Sequence, residues 1–229
     1  MKLSIVIPAY NEERTIGALL DQVLSLELSP VEKEVIVVND GSHDRTAESL
    51  KRYADRVTIL THPKNRGKGA AVRTGFAKAT GDYVVVQDGD LEYTPTDFHM
   101  MLTYAREHNA SVVYGSRWLP HPEGGQKRGG FGFYLGGQVL TKLTNVLYGT
   151  HITDEPTCYK MIRRDVLSRM TLTSEGFEFC PEITAKIARL GETIHEVPIR
   201  YAPRSAADGK KIRLRDGLVA IWTLIKYRF

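Results

Sequence analysis

Short apolar runs alternate with amphipathic helical patterns through the first half of the chain, and few folds accommodate this alternation. The apolar runs are rich in Val and Ile, which is typical of strands that are buried on both faces of a sheet. The predicted strands cover residues 3–7, 34–38, 57–60, 83–87 and 111–114. The predicted helices between them cover about residues 16–24, 45–54, 69–79 and 95–107. Because strand–helix–strand units make right-handed crossovers, we predict an α/β fold with a mostly parallel sheet flanked by helices.

The pattern changes after residue 117. Residues 124–137 hold seven of the 20 glycines of the chain, so this segment is predicted to be a long flexible loop. Helices are predicted at residues 138–148, 182–190 and 216–227, and a late strand at residues 193–201. No linker separates two apolar cores, so we expect a single domain over 1–229. Residues 1–117 would form one half of it, and residues 118–229, with the loop and the final helix, the other.

Cysteine content and hydropathy favour a cytoplasmic protein. The two cysteines, Cys158 and Cys180, make neither a disulfide framework nor a zinc site, and a reducing cytosol is the simplest compartment. No signal peptide precedes the first strand, which is stopped by Pro8. No apolar run approaches the roughly 20 residues needed to cross a bilayer.

Positive charge is concentrated at the end of the chain. The net charge is +4, yet eight Lys or Arg against two Asp give residues 200–229 alone a charge of +6. Such a segment suits phosphates, anionic lipid headgroups or nucleic acid, whereas a solvated helix face is the simpler explanation. The sequence contains no recognised nucleic-acid-binding module, so we expect no nucleic-acid partner.

The strand at residues 83–87 ends in a cluster of carboxylates, Asp88, Asp90 and Glu92. Open α/β sheets bind ligands at the carboxyl ends of their strands. In an extended backbone alternate side chains share a face, so these three could converge on one point. Oxygen ligands of this kind suit Mg²⁺ or Mn²⁺, and such a metal would bridge a diphosphate. An acidic turn that caps the next helix explains the same residues without a metal.

Three predicted strand ends carry polar turn residues, at 8–12, 39–42 and 88–90. In a parallel sheet these ends lie on one edge. A nucleotide needs an aromatic or apolar platform, a carboxylate or amide for the edge of its base, and a cation for its diphosphate. Tyr10, Asp40 and a metal at Asp88 and Asp90 would supply these three in that order.

Five segments together resemble the inverting family 2 glycosyltransferases of the GT-A fold. Within that family the chain is most similar to the polyprenyl-phosphate glycosyltransferases, such as the dolichyl-phosphate mannose synthases. The matching segments are residues 4–13, 38–44, 65–75, 88–90 and 115–117. The resemblance implies that residues 1–117 bind a nucleotide sugar and that residues 118–229 face the acceptor.

The resemblance also implies roles for individual residues. Those expected to bind the nucleoside are Pro8, Ala9, Tyr10, Glu12 and Asp40. Asp88, Gly89 and Asp90 would face the diphosphate, with Asp88, Asp90 and Glu92 holding Mg²⁺ or Mn²⁺, although relatives carry Gln at the position of Glu92.

Family members also carry an Arg followed six positions later by a Lys, which close over the diphosphate. Arg204 and Lys210 match this pair, and Lys211 is an alternative by charge. Cations there would stabilise the charge that develops on the leaving diphosphate. Arg117 could hold the acceptor phosphate through bidentate hydrogen bonds, or it could cap a helix.

The segment from Asp154 to Lys160 resembles the acceptor-side motif of the family. Its Glu155, Pro156 and Cys158 depart from the commoner form, which bears on the acceptor rather than on the donor. Asp154 is a candidate general base. A phosphate acceptor has a second pKa near ~6 and hardly needs a base, whereas a sugar hydroxyl would need one.

The sequence therefore predicts a metal-dependent inverting glycosyltransferase. It would move a hexose from GDP-mannose or a UDP-sugar to a polyprenyl phosphate at the cytosolic membrane face, through peripheral contact or a separate membrane partner. The alternatives are a family 2 enzyme with a soluble or cell-surface saccharide acceptor and a non-enzymatic nucleotide-binding module. For the helices at 138–148 and 216–227, packing against the sheet is favoured over membrane contact.

Overall fold

The structure is a computed structural model that describes residues 1–124, 130–204 and 214–229. The described residues form one seven-stranded sheet. Its strands are β1 (Lys2–Ala9), β2 (Glu32–Asn39), β3 (Thr58–Thr61), β4 (Tyr83–Val86), β5 (Val112–Ser116), β6 (Lys160–Arg163) and β7 (Ile194–Pro198). Their order across the sheet is β3-β2-β1-β4-β6-β5-β7, and β6 runs antiparallel to both of its neighbours.

Helices cover both faces of this sheet. They are α1 (Ile16–Ser25), α2 (Thr46–Lys51), α3 (Lys68–Lys78), α4 (Phe98–Glu107), α5 (Phe131–Tyr148), α6 (Arg164–Ser168), α7 (Phe179–Arg189) and α8 (Leu214–Arg228). On β1 the buried side chains of Ile5 and Ile7 belong to the core on the α1 and α4 side. Val6, between them, packs with α3 on the opposite face. Burial on both faces explains why this strand is apolar without alternation.

The last three long helices pack on one another beside the sheet. Leu140 of α5, Ala185 of α7 and both Ala220 and Leu224 of α8 form one buried apolar cluster. The Tyr148 hydroxyl donates a hydrogen bond to the carbonyl oxygen of Leu224 at 2.6 Å, which ties α5 to α8. Among the described residues, no helix is both long and apolar enough to span a bilayer.

The predicted α/β class with a mostly parallel sheet is confirmed. Strand β6, helix α6 and the start of helix α5 differ from the prediction. The strand β6 was not predicted, because four residues with Lys160 and Arg163 at the ends carry no detectable periodicity. Helix α5 begins at Phe131 rather than at residue 138, so the predicted loop 124–137 is wrong in its second part. The Tyr134 ring, in the first turn of α5, packs against the Trp118 ring with 4.9 Å between the ring centroids. This contact ties the glycine-rich start of α5 to the segment that follows β5. The division of the domain at residue 117 stays a prediction.

Glycine at position 75 permits close packing of α3 on the sheet. A β-carbon at Gly75 would overlap the buried side chain of Val6, whereas one at Gly136 in α5 would meet nothing within 4 Å. We expect Gly75→Ala to lower the free energy of unfolding by roughly 1–3 kcal/mol through overpacking. Gly136→Ala should raise it by up to about 1 kcal/mol, because Ala favours the helix.

Unfolding by denaturant measures the free energy of unfolding of both variants. Both carry the same substitution, Gly to Ala, so the difference between them reports the surroundings of each position. Equal stabilisation by the two substitutions would contradict the packing assigned to Gly75.

Candidate active site

The ends of β1, β2 and β4 meet at one edge of the sheet, as predicted. The backbone amide of Asp40 donates to the carbonyl of Ala9 at 2.8 Å, so the segments that follow β1 and β2 leave the sheet side by side. Gly89 follows β4, and a β-carbon there would lie 3.4 Å from the carbonyl oxygen of Pro8 and from the side chain of Glu12. Pro8, Ala9, Glu12, Asp40 and Gly89 are therefore neighbours.

Hydrogen bonds fix the loop after β1 against the loop after β2. The amide of Glu12 donates to the Thr46 hydroxyl at 2.8 Å, and the amide of His43 donates to the Asn11 side-chain oxygen at 2.9 Å. The Tyr10 ring is half-buried and meets the His43 ring edge-on, with centroids 6.4 Å apart. The predicted aromatic platform thus stands at the sheet edge on a braced loop.

Asp40 is buried and both of its oxygens already have partners. One oxygen accepts hydrogen bonds from the Arg66 amide at 2.9 Å and from His62 Nδ1 at 2.6 Å, and the other accepts one from the Gly67 amide at 2.8 Å. Gly67 has a φ of 98°, a conformation that favours glycine. In this structure Asp40 shapes the loop before α3, and its contact with a base stays a prediction.

The segment from Asp88 to Glu92 is a turn rather than extended backbone. Leu91 has a φ of 61°, and the Glu92 amide donates to Asp90 Oδ1 at 3.1 Å. Alternation along a strand therefore does not bring the carboxylates together. They instead share two cations that arrive from other parts of the chain.

The first of these cations is Lys68 at the start of α3, which was not predicted as a site residue. Its Nζ lies 2.6 Å from Asp88 Oδ1 and 2.8 Å from Cys158 Sγ. The side chain is largely buried, with 16% exposure. The sequence signal was present, because Lys68 stands inside the matching segment 65–75.

The second cation is Arg204, which contacts three predicted site residues. Its guanidinium lies 2.8 Å from Asp90 Oδ2 and 3.2 Å from Glu12 Oε2. Its backbone amide donates to Glu92 Oε1 at 2.8 Å. The structure thus brings Arg204 to the carboxylates, and its closure over a diphosphate stays a prediction. Lys210 and Lys211 lie outside the described residues, as do Lys127 and Arg128 of the predicted loop at 124–137.

Negative charge exceeds positive charge at this point. Burial, followed by the charges of Asp88 and Glu92, raises the pKa of Asp90 to about 7, although Arg204 acts in the opposite direction. With Glu12, four carboxylates face the two cations Lys68 and Arg204. Oxygen ligands with a surplus of negative charge fit a divalent cation. Over residues 1–124, 130–204 and 214–229, however, no three acidic, His or Cys side chains are arranged to hold a metal.

Arg117 and Asp154 form a buried ion pair at the end of β5. Both Asp154 oxygens accept hydrogen bonds from the guanidinium, at 2.7 and 2.6 Å, and the Arg117 amide adds a third at 3.0 Å. Burial alone would lower the pKa of Arg117, but the Asp154 charge holds it well above its usual range. Asp154 is fully buried, and we interpret it as a positioning residue for Arg117; its role as a general base stays a prediction.

Comparison with known proteins places this site in a family. The profile of Glycosyl transferase family 2 matches residues 4–171. The chain is 31% identical to dolichyl-phosphate beta-glucosyltransferase ALG5A of Trichomonas vaginalis, over 98% of this chain and 72% of that protein. The chain belongs to glycosyl transferase family 2. The predicted family and the predicted enzyme class, a glycosyltransferase, are confirmed.

Two further similarities agree with the family 2 assignment. Low-salt glycan biosynthesis hexosyltransferase Agl6 of Haloferax volcanii is 32% identical to this chain. The match covers 88% of this chain and 48% of that protein. Glucosyl-3-phosphoglycerate synthase of Mycobacterium tuberculosis has a TM-score of 0.75 and 22% identity, covering 99% of this chain and 79% of that one. At this identity the likeness concerns the fold, and it confirms the predicted GT-A class. Crystal structures of that synthase hold UDP with Mn²⁺ or Mg²⁺.

A cavity of about 390 Å³ opens in this family 2 enzyme beside Trp118, whose ring centre lies 5.9 Å from the Arg117 guanidinium carbon, and sequence reasoning missed it. Trp118 and Tyr134 line it with their rings, and Lys142 adds a cation. Its lining comes from the end of β5, from α5 and from residues 152–153, which are far apart in sequence. Only the tertiary structure brings them together.

In the segment from Asp154 to Lys160, Glu155 and Lys160 make buried contacts within the fold. Lys160 is buried, donates to the carbonyl of Glu155 at 2.6 Å and lies 3.9 Å from the centre of the Tyr114 ring. Burial raises the pKa of the Glu155 carboxyl to about 7, even though Lys160 opposes the shift. The basic residue of this motif therefore does not reach the carboxylate cluster.

Substitution of Asp154 separates a positioning role from a catalytic one. We expect Asp154→Asn to lower the free energy of unfolding by about 3–5 kcal/mol, because it leaves a buried guanidinium without its counter-charge. Asp90→Asn is the matched control, and it should leave stability unchanged or slightly higher because it relieves repulsion among carboxylates.

Chemical denaturation and steady-state rates of the two variants are the measurements. An Asp154→Asn protein as stable as the parent but inactive would support the base and contradict the positioning role.

Proposed function

We propose that this enzyme transfers a hexose, with inversion, from a GDP- or UDP-linked sugar to a polyprenyl phosphate. Two relatives support a hexose and a polyprenyl acceptor, since they are named as a dolichyl-phosphate glucosyltransferase and a hexosyltransferase. The observation that carries the choice of acceptor is the burial of Asp154 beneath Arg117. An acceptor that needs no base fits this arrangement, and a phosphate is such an acceptor.

The donor would lie along the sheet edge formed by the ends of β1, β2 and β4. The Tyr10 ring would contact the base or the ribose, and Pro8, Ala9 and Asp40 would line the same part of the donor site. Because the two Asp40 oxygens hold the loop before α3, its effect on the base would combine direct contact with placement of that loop.

The residues that would hold Mg²⁺ or Mn²⁺ are Asp88 and Asp90, with Glu92 completing the set. The fit rests on the surplus of negative charge at these side chains. A bound divalent ion would neutralise charge on the leaving diphosphate. Glu92 also holds the backbone of Arg204, so its loss would affect the cation as well as the metal.

The transfer itself is a displacement at the anomeric carbon. An oxygen of the acceptor phosphate forms the new bond while the bond to the nucleoside diphosphate breaks on the opposite side, which inverts the configuration. Arg204, already placed against Asp90, would stabilise the departing negative charge, and Lys210 is proposed to do the same. Arg117 would orient the acceptor phosphate through its planar guanidinium.

The proposed membrane contact is an apolar stripe on α8. Leu218, Trp222, Ile225 and Phe229 follow one another at helical spacing and are 65%, 63%, 38% and 95% exposed. They lie on the side of the helix opposite the buried Ala220 and Leu224. One apolar side of α8 packs on α5 and α7, and the other apolar side is exposed and is a candidate contact surface.

The positive charges around this stripe favour an anionic lipid surface as its partner. Arg215, Lys226 and Arg228 are exposed and flank the stripe, whereas the acid of this helix, Asp216, is half-buried. Amphipathic helices with cations at the edge of an apolar face lie in the membrane interface. We propose peripheral contact at the cytosolic face, where it would bring the site to a lipid acceptor.

A panel of GDP- and UDP-sugars with Mn²⁺, with and without a polyprenyl phosphate, tests donor and acceptor together. We expect nucleoside diphosphate release from one donor, and only with the lipid. Asp90→Asn should abolish release, while Asp55→Asn, an exposed carboxylate away from the site, should not change it. Release that is indifferent to the lipid would overturn the polyprenyl acceptor and favour a soluble one.

Vesicle sedimentation tests the membrane contact. Trp222→Gln should weaken binding to vesicles that contain phosphatidylserine by about tenfold, because one large apolar side chain is lost. Trp222→Phe keeps an apolar ring and should bind like the parent. Binding of the parent should fall with added salt and with pure phosphatidylcholine. Equal binding of the Gln and Phe variants to the vesicles would contradict the proposed membrane contact of α8.

A further inference from the structure

Both cysteines of the chain lie together beside the carboxylate cluster. Cys158 precedes β6 and Cys180 stands in the first turn of α7, yet the Cys180 sulfur lies 3.9 Å from the carbonyl oxygen of Thr157, the residue bonded to Cys158. Both residues are half-buried. Because the chain has two cysteines in all, any disulfide within one molecule must join this pair.

Cys158 is also a partner of Lys68. The Lys68 ammonium donates to Cys158 Sγ at 2.8 Å and pairs with Asp88 Oδ1 at 2.6 Å. It is further held over the Phe177 ring, with 5.8 Å between Nζ and the ring centre. One thiol of the pair is therefore a direct neighbour of the cation that neutralises Asp88.

The surroundings of the pair favour a reactive thiol over an inert packing residue. The Cys180 thiol lies 3.9 Å from the carbonyl oxygen of Thr157. The hydrogen bond from Cys158 lowers the pKa of Cys180 to about 6, and Lys160 and Lys68 act in the same direction against burial. Thiolates near cations are the cysteines that exchange with disulfides.

We propose that Cys158 and Cys180 are a redox modification site that closes into a disulfide upon reaction with a low-molecular-weight disulfide. The Cys180 thiolate attacks one sulfur of the reagent and expels the other as a thiolate. Cys158 then loses its proton and attacks Cys180 Sγ, which expels the second thiolate. The protein loses two electrons and two protons, and the reagent is reduced to two thiols.

Closing the disulfide changes the surroundings of Lys68. A disulfide sulfur is a poor acceptor for an ammonium group, so Lys68 loses one hydrogen-bond partner and keeps its ion pair with Asp88. Asp88 is then less available to a divalent cation and a diphosphate. This consequence rests on the proposed function, whereas formation of the disulfide does not.

Thiol counting and intact mass of the full chain test the disulfide. After treatment with oxidised glutathione and denaturation, the parent should have no free thiol, a mass lower by two hydrogens and no bound glutathione. Cys158→Ser and Cys180→Ser each retain one cysteine and should instead carry glutathione or keep the thiol. A parent that keeps both thiols, carries two glutathiones or forms crosslinked dimers would overturn the proposal.

Binding of UDP and of GDP with Mn²⁺, measured by calorimetry, tests the link to Lys68. The oxidised parent should bind about tenfold more weakly than the reduced parent, and a reducing agent should restore binding. The affinity of Cys180→Ser should not respond to the oxidant in samples whose intact mass shows a free Cys158 thiol. A disulfide without any change in affinity would overturn the link. Absence of nucleotide binding in the reduced parent would count against the proposed function, and the thiol count would still decide the disulfide.

Discussion

Ion pairs between two cations and four carboxylates hold the candidate site together. Lys68 reaches Asp88 from the start of α3, and Arg204 reaches Asp90 and Glu12 from the chain that follows β7. These contacts join the end of β1, the end of β4 and two segments that are remote in sequence. Carboxylates crowded at one sheet edge repel each other, so a cation is required there whether it comes from a side chain or from a metal ion.

A second ion pair, between Arg117 and Asp154, organises the other side of the site. It is buried, and the backbone amide of Asp154 is itself anchored by Glu196 of β7 at 3.0 Å. A guanidinium held this way would lose little further freedom on binding the phosphate that we propose for Arg117. The cavity lined by Trp118, Tyr134 and Lys142 opens between the end of β5 and α5.

Much of this site could be predicted because its motifs follow strands. Polar residues after β1, β2 and β4 must meet at one edge once the strands are parallel, so Tyr10, Asp40 and Asp88 were identified from spacing. Side-chain partners could not be predicted in the same way. Nothing in the spacing indicates that the Asp40 oxygens hold the loop before α3, or that Asp154 is sealed beneath Arg117, since both outcomes depend on burial.

The sequence by itself determined the α/β class, the family and the carboxylate cluster, because strand periodicity and local motifs are properties of neighbouring residues. The tertiary structure decided the rest. It inserted β6 between β4 and β5, brought Cys158 to Lys68, and turned one face of α8 outward while the other packs on α5 and α7. Each of these depends on which remote segments share a surface, and that is set by the packing of the whole chain.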